Sequence, residues 1–317
     1  MRARTLTAAA ALATCSTLAT PAVAAPDDRA VTGTFLYTNG ADDLYSRGAT
    51  GGTPKLLRTV DMTSTARYSP DGTKIAFTGC AGSTCDIYVM PASGGPAKRV
   101  ATGTTNNSSP LWSPDGKTLL FSRQQPDNGG GDSPLDDLMR VPAAGGKAIR
   151  VLTAVRETVN GSKCWGRSYY ATSWHPNKPL ALVTDECYVS NTLIRRRTLA
   201  INPSTGARSF VIPNAGGARW SPNGTAIAAH AITSPDNAYQ VFIARYSATG
   251  KKLNNITNPE VGLMNVGPAW SPDGSTIAYT MYAMDSPNNE SIIWTKPATG
   301  GTATLRVRNA DLRDWRR

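Results

Sequence analysis

The side chains best suited to binding chemistry lie in a set of irregular polar segments. These segments are residues 124–137, 154–170, 185–191, 232–239 and 282–290. Aromatic and arginine side chains are favoured at contacts with other molecules because they combine large area with directional hydrogen bonds. The segments supply as candidate binding residues Trp165, Arg167, Tyr169, Tyr170, Tyr188, Tyr239 and Tyr282.

The same segments carry carboxylates, which could act as acid and base on a glycosidic bond. They are Asp127, Asp132, Asp136, Asp137, Asp185, Glu186, Asp236 and Asp285. The separation of two carboxylates is a three-dimensional quantity, so the sequence predicts no particular catalytic pair. The run DNGGGD at 127–132 lacks the regular ligand spacing of a calcium loop, and we expect no calcium there.

Histidine is scarce, since the chain contains only His175 and His230. No G-x-S-x-G motif is present, and two histidines far apart give little basis for a catalytic triad. We therefore predict no catalytic residue, no metal site and no cofactor. His230 ends a predicted strand and is the one histidine worth testing.

A repeated sequence motif, here called the turn phrase, predicts the elements that position these residues. It reads YSPDG at 68–72, WSPDG at 112–116, WHPN at 174–177, WSPNG at 220–224 and WSPDG at 270–274, at intervals of about 44 to 62 residues. That period suits a β-propeller blade of four short strands. Pro, Asp or Asn, and Gly are turn formers, so the phrase predicts hairpins, with the preceding aromatic packed between blades.

The two ends of the chain complement each other. Residues 33–60 contain three predicted strands without a preceding SPDG strand, whereas 311–317 (DLRDWRR) carries Trp315 one period after Trp270. We therefore predict an all-β fold: a six-bladed β-propeller of four-stranded antiparallel blades, closed by the C-terminal strand joining the N-terminal blade. Such closure would remove exposed sheet edges.

Chain direction alternates from strand to strand, which sorts the loops onto two faces. The SPDG turns fall on one face, here called the turn face, and the irregular segments on the other, the loop face. Functional residues usually lie on variable loops over a rigid scaffold, so the loop face is the predicted binding surface.

The first strand of each blade lies nearest the propeller axis and can line a central channel. The residues before the repeated aromatics are Arg67, Leu111, Ser173, Arg219, Ala269 and Asp314. We include Arg67 and Arg219 as candidate binding residues. The alternative is a structural ion pair between Arg67 and Asp314.

Four cysteines remain once Cys15 is assigned to a leader sequence, and they can pair in three ways. Cys80 and Cys85 flank one hairpin tip, while Cys164 and Cys187 lie in loops of the same face. We predict the disulfides Cys80–Cys85 and Cys164–Cys187, which suit an exported protein.

The N-terminus has the composition of a signal peptide. Arg2 and Arg4 precede an Ala-rich apolar run, and Ala22-Val23-Ala24 offers a small-x-small cleavage site. We predict a signal peptide at 1–24, a short segment at 25–32 and the propeller at 33–317, in a secreted or periplasmic protein. Lipid attachment at Cys15 is the weaker alternative, and no later stretch is long enough for a membrane span.

The formal net charge of +11 favours anionic envelope polymers or acidic partners. The arginines are scattered, so we expect no nucleic-acid partner, and we expect a monomer.

The repeats resemble a known family. YSPDGTKIAF…DIYVMPASGG, LWSPDGKTLLFS…DLMRVPAAGG and AWSPDGSTIAYT…SIIWTKPATGG look like the TolB-type, WD-like propeller repeat, from residue 33 to 317. The resemblance implies a six-bladed periplasmic propeller that binds envelope partners. The chain departs from TolB in leaving no room for an additional N-terminal domain. It is also similar in repeat type to oligogalacturonate-lyase-like enzymes, whose histidine-based metal site two histidines can hardly supply.

These observations predict a secreted, non-catalytic TolB-like propeller that binds a protein or a cell-envelope polysaccharide through its loop face. The alternative is a propeller-fold carbohydrate-active enzyme, a lyase or glycoside hydrolase, that uses the acidic loop residues.

Overall fold

The computed structural model describes residues 32–39, 43–59, 65–126, 134–159, 161–189, 192–233, 240–284 and 290–316. Every regular element among them is a strand, so the all-β prediction is confirmed. None of these residues forms a helix of the length and apolarity needed to cross a bilayer. The predicted signal peptide and Cys15, the 127–132 run and Tyr239 lie outside the described residues.

The strands are short runs rich in Ile, Val, Phe, Tyr and Thr, separated by turn-forming Gly, Pro, Asp and Asn. In chain order they are β1 (Thr34–Asn39), β2 (Leu44–Gly48), β3 (Gly51–Arg58), β4 (Ala66–Tyr68), β5 (Lys74–Ala81), β6 (Thr84–Pro91), β7 (Lys98–Ala101), β8 (Asn107–Trp112), β9 (Thr118–Gln124), β10 (Leu135–Pro142), β11 (Ile149–Leu152), β12 (Thr158–Val159), β13 (Ser162–Lys163), β14 (Gly166–Trp174), β15 (Ala181–Val189), β16 (Thr192–Ile201), β17 (Arg208–Pro213), β18 (Ala215–Trp220), β19 (Ala226–Ile232), β20 (Val241–Ser247), β21 (Lys252–Asn255), β22 (Leu263–Trp270), β23 (Thr276–Ala283), β24 (Ser291–Pro297), β25 (Thr304–Arg308) and β26 (Ala310–Arg316).

The sheets are built from antiparallel units of four strands. One sheet has the order β26-β1-β2-β3 and another β4-β5-β6-β7. Two larger sheets each contain two such units, β8 to β11 with β14 to β17, and β18 to β21 with β22 to β25. Short parallel pairings join the units at Leu135↔Arg167 and Val241↔Met264. The small ribbon β12-β13 lies in the link between β11 and β14.

The repeated phrase forms the same hydrogen-bonded turn in successive units. The Ser69 hydroxyl donates to Asp71 Oδ1 at 2.5 Å, and that oxygen accepts the Thr73 N–H at 3.0 Å. These hydrogen bonds, the one from Ser69 first, lower the pKa of Asp71 to about 2. Gly72 has a φ of 70°, a conformation that favours glycine. The serine-to-acceptor bond recurs in the pairs Ser113–Asp115, Ser221–Asn223 and Ser271–Asp273.

The tryptophans of the phrase pack between units. Trp112 and Trp270 are 6% and 7% exposed. The Trp112 indole N–H donates to the Arg67 carbonyl at 3.1 Å, and that of Trp270 donates to the Arg219 carbonyl at 3.0 Å. Each indole thus reaches the first strand of the preceding unit.

The first strands of the units face a common central space. Contacts run from β26 to β4, from β4 to β8, from β8 to β14, from β14 to β18, from β18 to β22, and from β22 back to β26. Side chains of these strands can therefore meet although they are distant in sequence. They position the candidate residues described next.

Candidate functional site: the loop face and the cavity beneath it

Both predicted disulfides are present on the loop face. Cys80 pairs with Cys85 across the β5-β6 hairpin, and Cys164 pairs with Cys187, which anchors the long link after β11 to β15. Further bonds tie neighbouring loops together: the Cys85 N–H donates to Asn106 Oδ1 at 3.0 Å. Covalent bonds thus fix two loops of this face.

Segment 154–170 is not a loop throughout, because β14 begins at Gly166. Arg167 and Tyr169 consequently lie in a strand and are only 3% and 2% exposed. The Arg167 guanidinium stacks on the Tyr169 ring, 4.9 Å from its centroid. Burial removes both side chains from any surface that a partner could contact.

Arg167 belongs to a buried ion network centred on Asp185, which has no exposed surface. Arg167 binds it through Nε and Nη2 at 3.0 and 3.1 Å, and Arg197 Nε donates to it at 2.8 Å. Burial alone would raise the pKa of Asp185, but the arginines, Arg167 first, hold it below its usual value. This arrangement is structural, because the buried Asp185 carboxylate is fully engaged by arginines of the protein itself.

The structure brings two predicted residues, Tyr170 and Tyr188, together on Glu186. Both hydroxyls donate to Glu186 Oε2, at 2.9 and 2.6 Å, and Arg196 Nε donates to Oε1 at 2.5 Å. Burial, with the neighbouring Glu186 carboxylate, raises the pKa of both tyrosines. The two tyrosines therefore stay protonated as hydrogen-bond donors.

Below this cluster lies a cavity of about 250 Å³, here called the upper cavity. Its polar wall includes Tyr170, Glu186, Arg196 and His230. Its apolar wall includes Val241, Met264 and Val266. Burial, with a smaller contribution from Arg196, lowers the pKa of His230 to about 3, so the imidazole is neutral at pH 7.

Arg67 and Arg219, the two first-strand arginines, converge on one carbonyl of β26. Arg67 donates to the Arg313 carbonyl, and Arg219 Nη2 donates to the same carbonyl at 3.1 Å. The carboxylate partner of this cluster is Asp314, whose Oδ1 lies 3.2 Å from Arg219 Nη1. The expected ion pair with Asp314 is therefore made by Arg219 instead of Arg67.

A second cavity, of about 540 Å³, opens on the turn face. Arg219, Asp314 and Arg316 line it together with Trp220, Trp270 and Trp315. The three tryptophans are at most 7% exposed and serve mainly as packing.

The remaining candidates are dispersed. Trp165 carries the Lys163 ammonium 4.4 Å above its ring. Tyr282, the penultimate residue of β23, lies beside Asp311, and burial followed by that carboxylate raises its pKa. Neither lines the upper cavity.

Sequence reasoning missed the most exposed apolar side chains of the loop face. Val261 is 82% exposed, Val155 52% and Met284 46%. Val261 and Met284 lie in adjoining loops, since the Met284 N–H donates to the Gly262 carbonyl at 2.8 Å. An isolated Val or Met carries no sequence signal for exposure, so only the structure reveals this patch.

Asp136 and Asp137, two acidic residues of the loop face, are engaged internally. Asp137 Oδ1 accepts from Gln125 at 2.7 Å and from the Ala154 N–H at 2.8 Å, and Asp137 Oδ2 lies 2.7 Å from Arg150 Nε. Asp136 accepts the Ser168 hydroxyl at 2.5 Å. Within the described ranges no three His, Cys, Asp or Glu residues group in a way that could hold a metal ion.

The repeated four-stranded units, their turn chemistry and the shared central space define a β-propeller. A family model, the TolB beta propeller domain, matches residues 8–157. A putative TolB from Agrobacterium tumefaciens has a similar structure, with a TM-score of 0.61 and 15% identity over 90% of this chain and 99% of that one. TolB from Acinetobacter baumannii gives a TM-score of 0.66 and 17% identity over 90% of this chain and 67% of that one. The chain therefore has a TolB-like β-propeller fold, and its N-terminal half matches the TolB propeller family model.

The fold is shared with proteins of other kinds. An oligogalacturonate lyase solved in complex with manganese gives a TM-score of 0.53 and 16% identity over 87% of this chain and 73% of that one. In sequence, an uncharacterized protein of Agrobacterium fabrum is 32% identical over 83 residues. That match spans 26% of this chain and 28% of the relative.

Proposed function

We propose that this chain is an exported, non-catalytic TolB-like propeller that binds a partner protein through its loop face. The observation that carries the proposal is the apolar patch of Val261 and Met284 on that face. Contiguous exposed apolar side chains mark surfaces that a partner covers, and these two lie in loops joined by a backbone hydrogen bond. The net charge of +11 favours a partner with acidic side chains around its contact surface.

The proposed scaffold is a ring of six blades, spanning 33–317, that β26 closes by joining the N-terminal blade. Two observations support it. β26 pairs with β1 from Thr34↔Arg316 to Asn39↔Ala310. The contacts among the six first strands run from β26 round to β22 and back to β26. A closed ring holds its loops in fixed relative positions, which favours recognition by a preorganised surface.

The proposed location is outside the cytoplasm, in the periplasm or the medium. Two disulfides support this location, because disulfides persist in oxidising compartments. The signal-peptide-like composition of residues 1–24 agrees with it.

A non-catalytic role is supported by the state of the acidic side chains. Asp137, Asp185 and Glu186 each accept two or more hydrogen bonds or ion pairs from the protein itself. A general acid or base needs a free oxygen aimed at substrate. The alternative, a carbohydrate-active enzyme using these residues, is tested in the same experiment.

The test uses photo-crosslinking in the native cell envelope. A photoreactive phenylalanine analogue replaces Val261 or, as a matched control, Leu253, which is 51% exposed on the outer strand β21. We expect one protein to crosslink from position 261 and not from 253. The purified partner should then bind the wild-type chain, and Met284→Asp should weaken that binding at least tenfold whereas Leu253→Asp should not.

Two outcomes contradict the proposal. Equal crosslinking from both positions means that the patch has no specific protein partner. Reproducible binding or cleavage on a polysaccharide array, unaffected by Met284→Asp, favours a carbohydrate ligand or the enzyme alternative.

A further inference from the structure

One position in the second strand of the blades carries a buried hydroxyl that joins neighbouring units. It lies ten residues after the aromatic that begins the turn phrase, and is occupied by Thr78, Ser122, Thr184 and Thr280 in four units. Thr78, Thr184 and Thr280 accept backbone N–H groups from Ser109, Gly217 and Leu312, and Ser122 donates to the Tyr169 carbonyl. All four hydroxyl residues are at most 2% exposed. The hydroxyl is therefore part of the scaffold.

His230 occupies this position in the unit β18 to β21. Its buried Nδ1 has no hydrogen-bond partner among the described residues. The backbone makes room for the ring: a Cβ on Gly217 would stand 2.6 Å from Nδ1, and a Cβ on Gly216 would stand 2.8 Å from Nε2. The scaffold thus accommodates an imidazole that contributes no bond between units, which indicates a role other than structural support.

The surroundings of His230 favour an anionic ligand. A Cβ on Gly216 would also stand 3.0 Å from Arg196 Cδ, so the histidine and the arginine flank the same glycine. Glu186, the one carboxylate among the described residues that line the upper cavity, already accepts bonds on both oxygens. Arg67 adds a second guanidinium to the lining. A cation would meet a carboxylate already bonded on both oxygens, whereas a carboxylate would meet the Arg196 guanidinium and an unpaired imidazole nitrogen.

The opposite wall of the upper cavity is apolar, formed by Val241, Met264 and Val266. We propose that the upper cavity binds a small organic carboxylate, whose charged group contacts Arg196 and His230 and whose apolar body contacts Met264 and Val266. The volume of about 250 Å³ limits the ligand to a single small molecule. This site is separate from the loop-face patch, and neither proposal depends on the other.

The test is calorimetric titration of the full mature chain with benzoate, with benzamide as the neutral molecule of the same shape and benzylamine as the cation. We expect benzoate to bind with a dissociation constant of about 1 mM or below and the other two at least tenfold more weakly. The variant His230→Thr restores the hydroxyl found in the other units, so it should fold, and it should weaken benzoate binding about tenfold or more. Thr280→Ser, a change at the equivalent position of another unit, should leave binding unchanged.

A second readout follows the histidine directly. The ring-proton NMR signals of His230, assigned by their loss in His230→Thr, should move on addition of benzoate, whereas those of His175 should not. The proposal is overturned if benzoate does not bind at about 20 mM, if benzamide binds equally well, or if His230→Thr binds benzoate as tightly as the wild type.

Discussion

Arg219 and Asp314, 95 positions apart in the sequence, form an ion pair of 3.2 Å between β18 and β26. Asp314 also accepts the Tyr68 N–H at 2.9 Å, so one carboxylate links three first strands. Its negative charge balances the nearby guanidinium groups of Arg67 and Arg219. Burial, followed by repulsion from Arg219, lowers the pKa of Arg67 to about 9.

Replacing Asp314 by Asn should therefore destabilise the fold. The amide keeps the shape but removes the negative charge that balances the Arg67 and Arg219 guanidinium groups. We expect the free energy of unfolding to fall by about 1–3 kcal/mol, measured by urea titration. Glu290→Gln is the control, because its ion pair with Arg308 is far more exposed and should contribute less than about 0.5 kcal/mol. Equal effects of the two substitutions would contradict the structural role of Asp314.

Removing a disulfide should lower the free energy of unfolding, and the loss should be larger for the disulfide that closes the longer loop. The sequence separation is 23 for Cys164–Cys187 and 5 for Cys80–Cys85. Loop-closure entropy then predicts losses of about 3 kcal/mol and about 2 kcal/mol for the two double Cys→Ser variants. Denaturant titration of each variant without reductant measures the difference. A larger loss at Cys80–Cys85 would show that native-state contacts, not chain entropy, dominate.

The network around Asp185 predicts that Arg167 contributes to stability. Arg167→Met leaves the buried carboxylate with fewer partners, and we expect a loss of about 3 kcal/mol or more in thermal or urea unfolding. Arg156→Met, an exposed change in the same segment, should alter stability by less than about 0.5 kcal/mol. If Arg167→Met keeps full stability, the buried network is not a structural requirement.

His230 should make the fold sensitive to acid. Its folded pKa of about 3 lies below the ordinary value of 6.5, so between these values the unfolded chain takes up a proton that the folded chain does not. The resulting loss in the free energy of unfolding is absent above pH 6.5, grows as the pH falls and reaches about 2 kcal/mol at pH 5.

The comparison of His230→Thr with the wild type isolates this contribution. The stability difference between the two proteins should change by that amount between pH 7 and pH 5, in urea titrations at each pH. Parallel pH profiles would mean that His230 titrates normally in the folded protein. His175, whose pKa burial also lowers, is common to both proteins and cancels.

The repeated phrase made much of the fold predictable, because a turn requires particular residues at fixed places. It predicted the hairpins, the packing of Trp112 and Trp270, and the face on which each pair of cysteines lies. Side-chain direction was harder to predict, since it reverses at every residue of a strand. Arg167 and Tyr169 were expected on a loop, but β14 begins at Gly166, one residue before Arg167, and both side chains point inward.

The upper cavity could have been found only by aligning the units to one another. His230 then stands out as the exception in a column of Thr and Ser. Its neighbour Arg196 comes from another unit, and the contact between them depends on how two sheets pack. No local pattern encodes that contact.

The pairing of β1 with β26 has a consequence for the order of events in folding. Thr38, in β1, receives hydrogen bonds from Arg313 across a sequence separation of 275 residues. Contacts of such separation are costly in loop-closure entropy and form late. We expect the edge of β1 to stay available for wrong pairings until β26 has been synthesised. The slowest and most aggregation-prone stage of folding should therefore be the last one.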